Sequence, residues 1–195
     1  MRLIERTKEV LLHPKSQWEI IAAEPASTGA LYTRVIMPLA AIGPVATLIG
    51  WSVFGISIPF AGTYRVPLSA SLGPAVVRYV LGLAAVFVLA LIIDGLAPSF
   101  GGQKDQVQAL KVAAFSSTAA WLAGIFALIP SLNMLGILGV YSLYLLYAGL
   151  PILMKAPPDK ALGYTVVVIV SAIAMFVVIG VIASQFVAAP MITGS

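Results

Sequence analysis

From Val35 to Ala189, five long apolar stretches follow one another with only short polar breaks between them, and this repetition decides what the chain can fold into. A membrane helix needs about 20 mostly apolar residues to cross about 30 Å of hydrocarbon. The stretches Val35–Ile58, Leu72–Ala97, Val107–Ile129, Leu132–Met154 and Leu162–Ala189 all meet that length. The last is long enough to tilt or to extend past the hydrocarbon. Charge scarcity points the same way. Only 9% of the 195 residues are charged and 61% are hydrophobic, whereas soluble domains carry about 25% charged residues. The expected fold is therefore all-α: a polytopic bundle of five transmembrane helices, with its domain proper at 35–189.

The charges are also unevenly placed. Nine of them lie in the first 34 residues. Within that segment Leu3, Thr7, Val10 and Leu11 share one helical face, while Arg2, Glu5, Arg6, Lys8 and Glu9 lie elsewhere, which describes a short amphipathic helix. Pro14 ends it. Ser16 then stands three residues before Glu19, a capping-box spacing that predicts a second short helix closed by Pro25. Residues 1–34 thus read as a cytoplasmic interfacial segment, with Trp18 as its anchor at headgroup level. The other reading is that these helices pack on the ends of the spans, and amphipathicity alone does not separate lipid from protein as the covered surface.

Lys and Arg are retained on the cytoplasmic side of a membrane. With the N-terminus inside, nine of the 11 basic residues fall in cytoplasmic segments, and only Arg65 and Arg78 fall outside. The expected topology is N-terminus in and C-terminus out, with 190–195 a short outer tail. Its last residues, Thr193-Gly194-Ser195, are of the kind left by cloning and are given no role.

Several classes of chemistry are excluded at this level. There is no cysteine, and the single histidine, His13, lies before the spans. Thiolate chemistry, disulfides and multi-His metal centres therefore drop out. The basic residues are spread along loops rather than clustered with aromatics, so nucleic acid is not a partner. The string Phe100-Gly101-Gly102-Gln103-Lys104-Asp105 lacks the spacing of a phosphate loop and reads as a turn. No cofactor is expected.

The polar residues that remain are few. Asp94 lies about one helical turn from the cytoplasmic end of the second span. Arg34 and Lys111 lie on the same side, so Asp94 reads either as a proton or cation site or as a structural ion pair tying three helix ends together. Ser116, Ser117 and Thr118 on the third span face Tyr141, Tyr144 and Tyr147 on the fourth at a similar depth. They form either a hydroxyl layer that glues two helices or a polar vestibule open to the cytoplasm. Arg78, with Ser71 and Pro74 marking a helix start before it, is expected to snorkel toward headgroups. Pro38, Gly43 and Pro44 should kink or unwind the first span. The Pro130-Ser131 break demands a tight helical hairpin.

The string from Asp94 to Lys111, DGLAPSFGGQKDQVQALK, resembles bacterial members of the Yip (Ypt-interacting protein) family of five-span membrane proteins. Ala114-Phe115-Ser116, Trp121-Leu122-Ala123-Gly124, Pro130, the segment Tyr141 to Pro151 and Lys160 to Tyr164 extend the likeness over most of 16–185. The resemblance implies a cytoplasmic N-terminus, five helices and an outer C-terminus, in agreement with the charge count. Eukaryotic relatives are associated with Rab-type GTPases through a long N-terminal region that has no counterpart here, so that role is not carried over. For a bacterial relative the resemblance implies an inner (cytoplasmic) membrane protein without implying an activity.

The resulting expectation is a non-enzymatic inner-membrane protein that organises lipid or partner proteins. Its partners are the lipid bilayer and a membrane or cytoplasmic protein, with self-association into a homo-oligomer left open. The alternative is a small transporter or channel using the Asp94/Lys111 polar site.

Overall fold

Two short amphipathic helices come first, and each buries the face its spacing marks out. In α1 (Leu3–Leu12) Thr7 and Val10 are buried, and Leu3 and Leu11 pack against the core. Pro14 closes α1 by occupying the first position of α2 (Pro14–Ala23), where its missing N–H costs nothing. The Ser16/Glu19 capping box is not formed. The helix begins three residues earlier, with His13 as a cap that makes no side-chain bond, and the Ser16 hydroxyl instead donates to the His13 carbonyl at 3.1 Å.

The computed structural model describes residues 3–58 and 62–186; the tail at 190–195 lies outside them. Among the described residues, five helices are long and apolar enough to cross a membrane. They are α3 (Thr28–Phe54), α4 (Leu68–Phe100), α5 (Gln106–Leu128), α6 (Pro130–Leu153) and α7 (Pro158–Phe186). α3 begins at Thr28, N-capped by the Ser27 hydroxyl, which accepts from the Ala30 amide, so the expected boundary at residue 34 falls inside a helix. α4 likewise begins at Leu68 and carries Pro74 within it. The expected start at Ser71 is displaced by one turn.

α3 is irregular in the way its prolines require. A turn at Ala41 separates Met37–Ala40 from Ile42–Ile49, and wider π-type turns run over Tyr32–Ile36 and Gly50–Phe54. A small antiparallel hairpin then pairs β1 (Ile56–Ile58) with β2 (Gly62–Tyr64), with Ile56 opposite Tyr64. It is the only sheet among the described residues.

α5 lies at the centre of the bundle. In its most apolar stretch 61% of residues are buried, against 17–28% for the other four spans, and it packs on α2, α3, α4 and α6. Backbones meet where glycine allows it: a Cβ on Gly124 would stand 2.9 Å from the Gly43 Cα, and one on Gly50 would stand 2.3 Å from the Ala127 carbonyl oxygen. α3 and α4 run antiparallel, joined by the Tyr32 hydroxyl donating to the Leu83 carbonyl at 2.9 Å and the Tyr79 hydroxyl donating to the Met37 carbonyl at 3.1 Å. Many outward side chains are large and apolar, including Val170, Val177 and Val181 on α7, as a lipid-facing surface requires.

The turn between α4 and α5 is built as its sequence suggests. A 3₁₀ turn over Ala97–Phe100 ends at Gly101 in the left-handed region, φ 75°, and the Asp105 carboxylate accepts from the Val107 and Gln108 amides at 3.0 Å each to cap α5. The residue before Pro130, Ile129, is extended, as the proline ring demands of its neighbour. The hairpin between α5 and α6 turns there.

From Pro130 to Val140 α6 is wound as a 3₁₀-helix before it becomes α-helical at Tyr141. With three residues per turn, positions i and i+3 eclipse. Asn133, Gly136 and Gly139 therefore stack in one row, roughly 12 Å long at about 2 Å per residue.

Candidate functional site

The N-terminal helices are folded into the bundle. The Tyr141 hydroxyl donates to the Leu11 carbonyl at 3.0 Å, and Gly149 lies so close to Trp18 that a Cβ there would stand 2.7 Å from the indole. α2 therefore climbs along α6 in the same direction. Trp18 is fully buried, with its ring edge-on to Phe115 at 6.4 Å. This corrects the expectation of a headgroup anchor: the ring fills the notch that Gly149 leaves between α5 and α6.

Lys111 holds the far end of α2. It is 3% exposed, and its Nζ donates to the carbonyls of Ile21 at 2.8 Å and Glu24 at 2.6 Å. One turn earlier on the same face of α5, the Gln108 amide donates to the Ala22 carbonyl at 3.0 Å. A helix C-terminus leaves unpaired carbonyls and a negative dipole end, and these two side chains supply both the donors and a positive charge. Lys111 is thus engaged with backbone rather than with Asp94.

Asp94 stands elsewhere. It is partly buried on α4, and one of its carboxylate oxygens is buried without a hydrogen-bond partner. The Tyr164 hydroxyl donates to the neighbouring Ile93 carbonyl, and its ring stacks on Phe100 at 5.0 Å. Among the described residues the Arg6 guanidinium pairs with the Glu24 carboxylate, and His13 Nδ1 lies 3.1 Å from a Glu9 carboxylate oxygen. The expected tie of Asp94 to Arg34 and Lys111 is not among these contacts. Among the described residues no group of three His, Asp or Glu side chains could hold a metal.

The hydroxyl layer is also rearranged. Ser116 and Ser117 both donate to the Ala113 carbonyl, at 3.3 and 2.7 Å. Tyr144 and Tyr147 are each 42% exposed and turn away from them, Tyr144 against the ring of Tyr141 at 5.4 Å. The residue of α6 that reaches α5 is Ser142, whose hydroxyl accepts from the Ala120 amide at 2.9 Å. In lipid such hydroxyls satisfy backbone groups within and between helices, and these do so.

Three of the larger cavities along the bundle carry polar side chains from more than one helix. At the end carrying α1 and α2, one of about 510 Å³ is walled by Arg6, Glu24, Arg34, Lys111 and Phe115, among others. Midway, an apolar one of about 540 Å³ opens between α4, α5, α6 and α7, lined by Leu89, Ser117, Gly136, Leu143, Ile169 and Phe176. At the hairpin end a more polar one of about 620 Å³ is lined by Thr47, Trp51, Arg78, Ser131 and Asn133. Asn133 borders both of the last two. Arg78 points into the polar cavity with its guanidinium carbon 5.4 Å from the centre of the Trp51 ring, a cation–π arrangement in place of the expected free snorkelling.

Sequence reasoning brought Arg34 and Lys111 to one end of the bundle, and they share a cavity there. It missed Arg6, Gln108 and Asn133. Gln108 carries a readable signal, since it lies three residues before Lys111 on one face. Asn133 does not, because its direction depends on a 3₁₀ winding that no pattern announced.

The model of the Yip1 domain matches residues 8–181. "Inner membrane protein YohC" of Escherichia coli strain K12 is 23% identical over 157 residues, covering 78% of this chain and 80% of the relative. The same protein of Escherichia coli O6:H1 matches to the same extent. No solved structure gives a significant match. The match spans α2 and all five long helices, so this multi-pass membrane protein belongs to the Yip1 domain family.

Proposed function

We propose that this is a non-enzymatic inner-membrane protein that organises lipid, holding an acyl chain between α4, α5, α6 and α7. The observation that carries this reading is the adjacency of two cavities that share Asn133 in their walls. An apolar chamber of about 540 Å³ lies beside a polar one where Arg78 is poised, an arrangement that suits an amphiphile. Ser116, Ser117 and Ser142 on the apolar wall spend their hydrogen bonds on backbone, so the chamber suits hydrocarbon better than an ion.

A photoreactive acyl-chain phospholipid in proteoliposomes tests it. Adducts should concentrate on the α6 and α7 residues lining the chamber and fall several-fold in Gly136→Leu, which fills it. That substitution is sterically open, since a Cβ at Gly136 meets nothing within 4 Å. Adducts spread evenly over lipid-facing positions such as Val170 and Val181, and unchanged by Gly136→Leu, would contradict the proposal.

The transport alternative rested on Asp94 together with Lys111, and Lys111 is engaged with the Ile21 and Glu24 carbonyls rather than with Asp94. Solute flux through proteoliposomes that disappears in Asp94→Asn would favour it instead. The same reading sets the N-terminus in the cytoplasm, because the positive-inside rule favours that side for the end that gathers Arg6, Arg34 and Lys111.

A further inference from the structure

We infer that the cavity at the α1–α2 end is a binding site for a phosphate-bearing anion. Its walls come from four places in the chain: Arg6 of α1, the end of α2 with Glu24, Arg34 of α3, and Lys111 with Phe115 of α5. Three cations there face one carboxylate. That carboxylate is already committed, since Glu24 accepts from one terminal nitrogen of Arg6, and this pair fixes the guanidinium against the wall.

The donors left over are what a phosphate requires. The other terminal nitrogen of Arg6 is buried and has no partner, on a side chain that is 11% exposed. A buried donor without an acceptor is costly, and a guanidinium presents its N–H groups in a planar fork that matches phosphate oxygens. Lys111 uses two of the three N–H groups of its ammonium on the carbonyls of Ile21 and Glu24, which leaves one. Arg34 is exposed at the rim and enters no ion pair among the described residues.

Size and setting narrow the ligand. A volume of about 510 Å³ is many times the ~30 Å³ that a water molecule occupies in the liquid, so the site has room for a phosphoryl group with an attached polar alcohol. Leu3, Leu31, Val35 and Phe115 supply an apolar side to the same cavity. The shared chemistry is a phosphate ester, drawn either from the headgroup of an anionic phospholipid or from a soluble phosphate compound. This site lies at the opposite end of the bundle from Arg78 and does not depend on the acyl-chain reading.

Native mass spectrometry of the full chain tests it, with phosphatidylglycerol or phosphatidylcholine added in detergent and with glycerol phosphate as the soluble probe. The parent should retain phosphatidylglycerol over phosphatidylcholine. Arg34→Gln, at an exposed position, should weaken phosphatidylglycerol retention roughly tenfold, the loss expected for one charged hydrogen-bonded contact, and Arg34→Lys should restore part of it. Lys104→Gln, at an exposed position that lines none of the three cavities, serves as the control and should leave retention unchanged. Binding of glycerol phosphate that is lost in Arg34→Gln, without any preference between the two lipids, assigns the site to the soluble source and upholds its phosphate chemistry. Equal retention of both lipids by the parent together with no binding of glycerol phosphate, or lipid retention and glycerol phosphate binding in Arg34→Gln both equal to the parent, overturns the inference.

Discussion

At the residue scale, the fold depends on a few contacts in which one side chain answers one vacancy. Gly149 is the clearest case. Any Cβ there would stand 2.7 Å from the Trp18 ring, so Gly149→Ala should cost about 1–3 kcal/mol through overpacking, and Trp18→Ala about 3–5 kcal/mol through the cavity it leaves. Thermal unfolding in detergent measures both, and trypsin cleavage at Arg6 and Lys8 should accelerate in each if the helices lift off. Lys111→Met keeps the bulk of the side chain and removes its donors. It should cost about 1–3 kcal/mol by leaving the Ile21 and Glu24 carbonyls without them, and hydrogen exchange should speed up at the end of α2 while α7 stays as protected as before. The sequence marked Trp18 and Lys111 as important and mistook how. A tryptophan beside an amphipathic helix signals a lipid interface and a protein notch equally well. A lysine near a helix end reads as a partner for the nearest acid, because backbone carbonyls of a distant helix are invisible to a pattern of side chains.

At the element scale, the glycines sort into two kinds that look alike in the sequence. Gly50 and Gly124 sit where α3 meets α5, whereas a Cβ added at Gly73 or Gly82 on α4 would meet nothing within 4 Å. Gly50→Ala must push α3 away from the Ala127 carbonyl, since a Cβ only 2.3 Å from it lies inside van der Waals contact, and should destabilise the bundle. Gly73→Ala and Gly82→Ala should instead stabilise it by about 0.5–1 kcal/mol each through helix propensity. Unfolding midpoints of the three variants in one detergent check the contrast, and a destabilised Gly82→Ala would go against it. The five spans were legible because a run of 20 apolar residues is a signal independent of packing. Apolarity alone places their starts late, at Val35 for Thr28 and Leu72 for Leu68, because the first turn of a membrane helix is polar. The β1–β2 hairpin was missed because three-residue strands carry no period. The 3₁₀ winding of Pro130–Val140 was missed for a related reason: apolarity identifies a span but does not distinguish three residues per turn from 3.6.

At the scale of the whole molecule, the five spans form a bundle whose two ends differ in charge. One end gathers α1, α2 and the cations Arg6, Arg34 and Lys111. The other carries the hairpin turns and the cavity around Arg78. A bundle that spans the membrane presents these ends to different compartments, and the orientation proposed above from the excess of basic residues turns the first toward the cytoplasm. Both lipid proposals inherit that orientation, since it decides which leaflet each cavity meets. The measurement that tests it most directly is a paired reporter fusion after Ala189, with one reporter active only in the cytoplasm and the other only outside it. The outside reporter should be active and the cytoplasmic one silent. Activity of the cytoplasmic reporter alone would contradict the orientation and the five-crossing topology together.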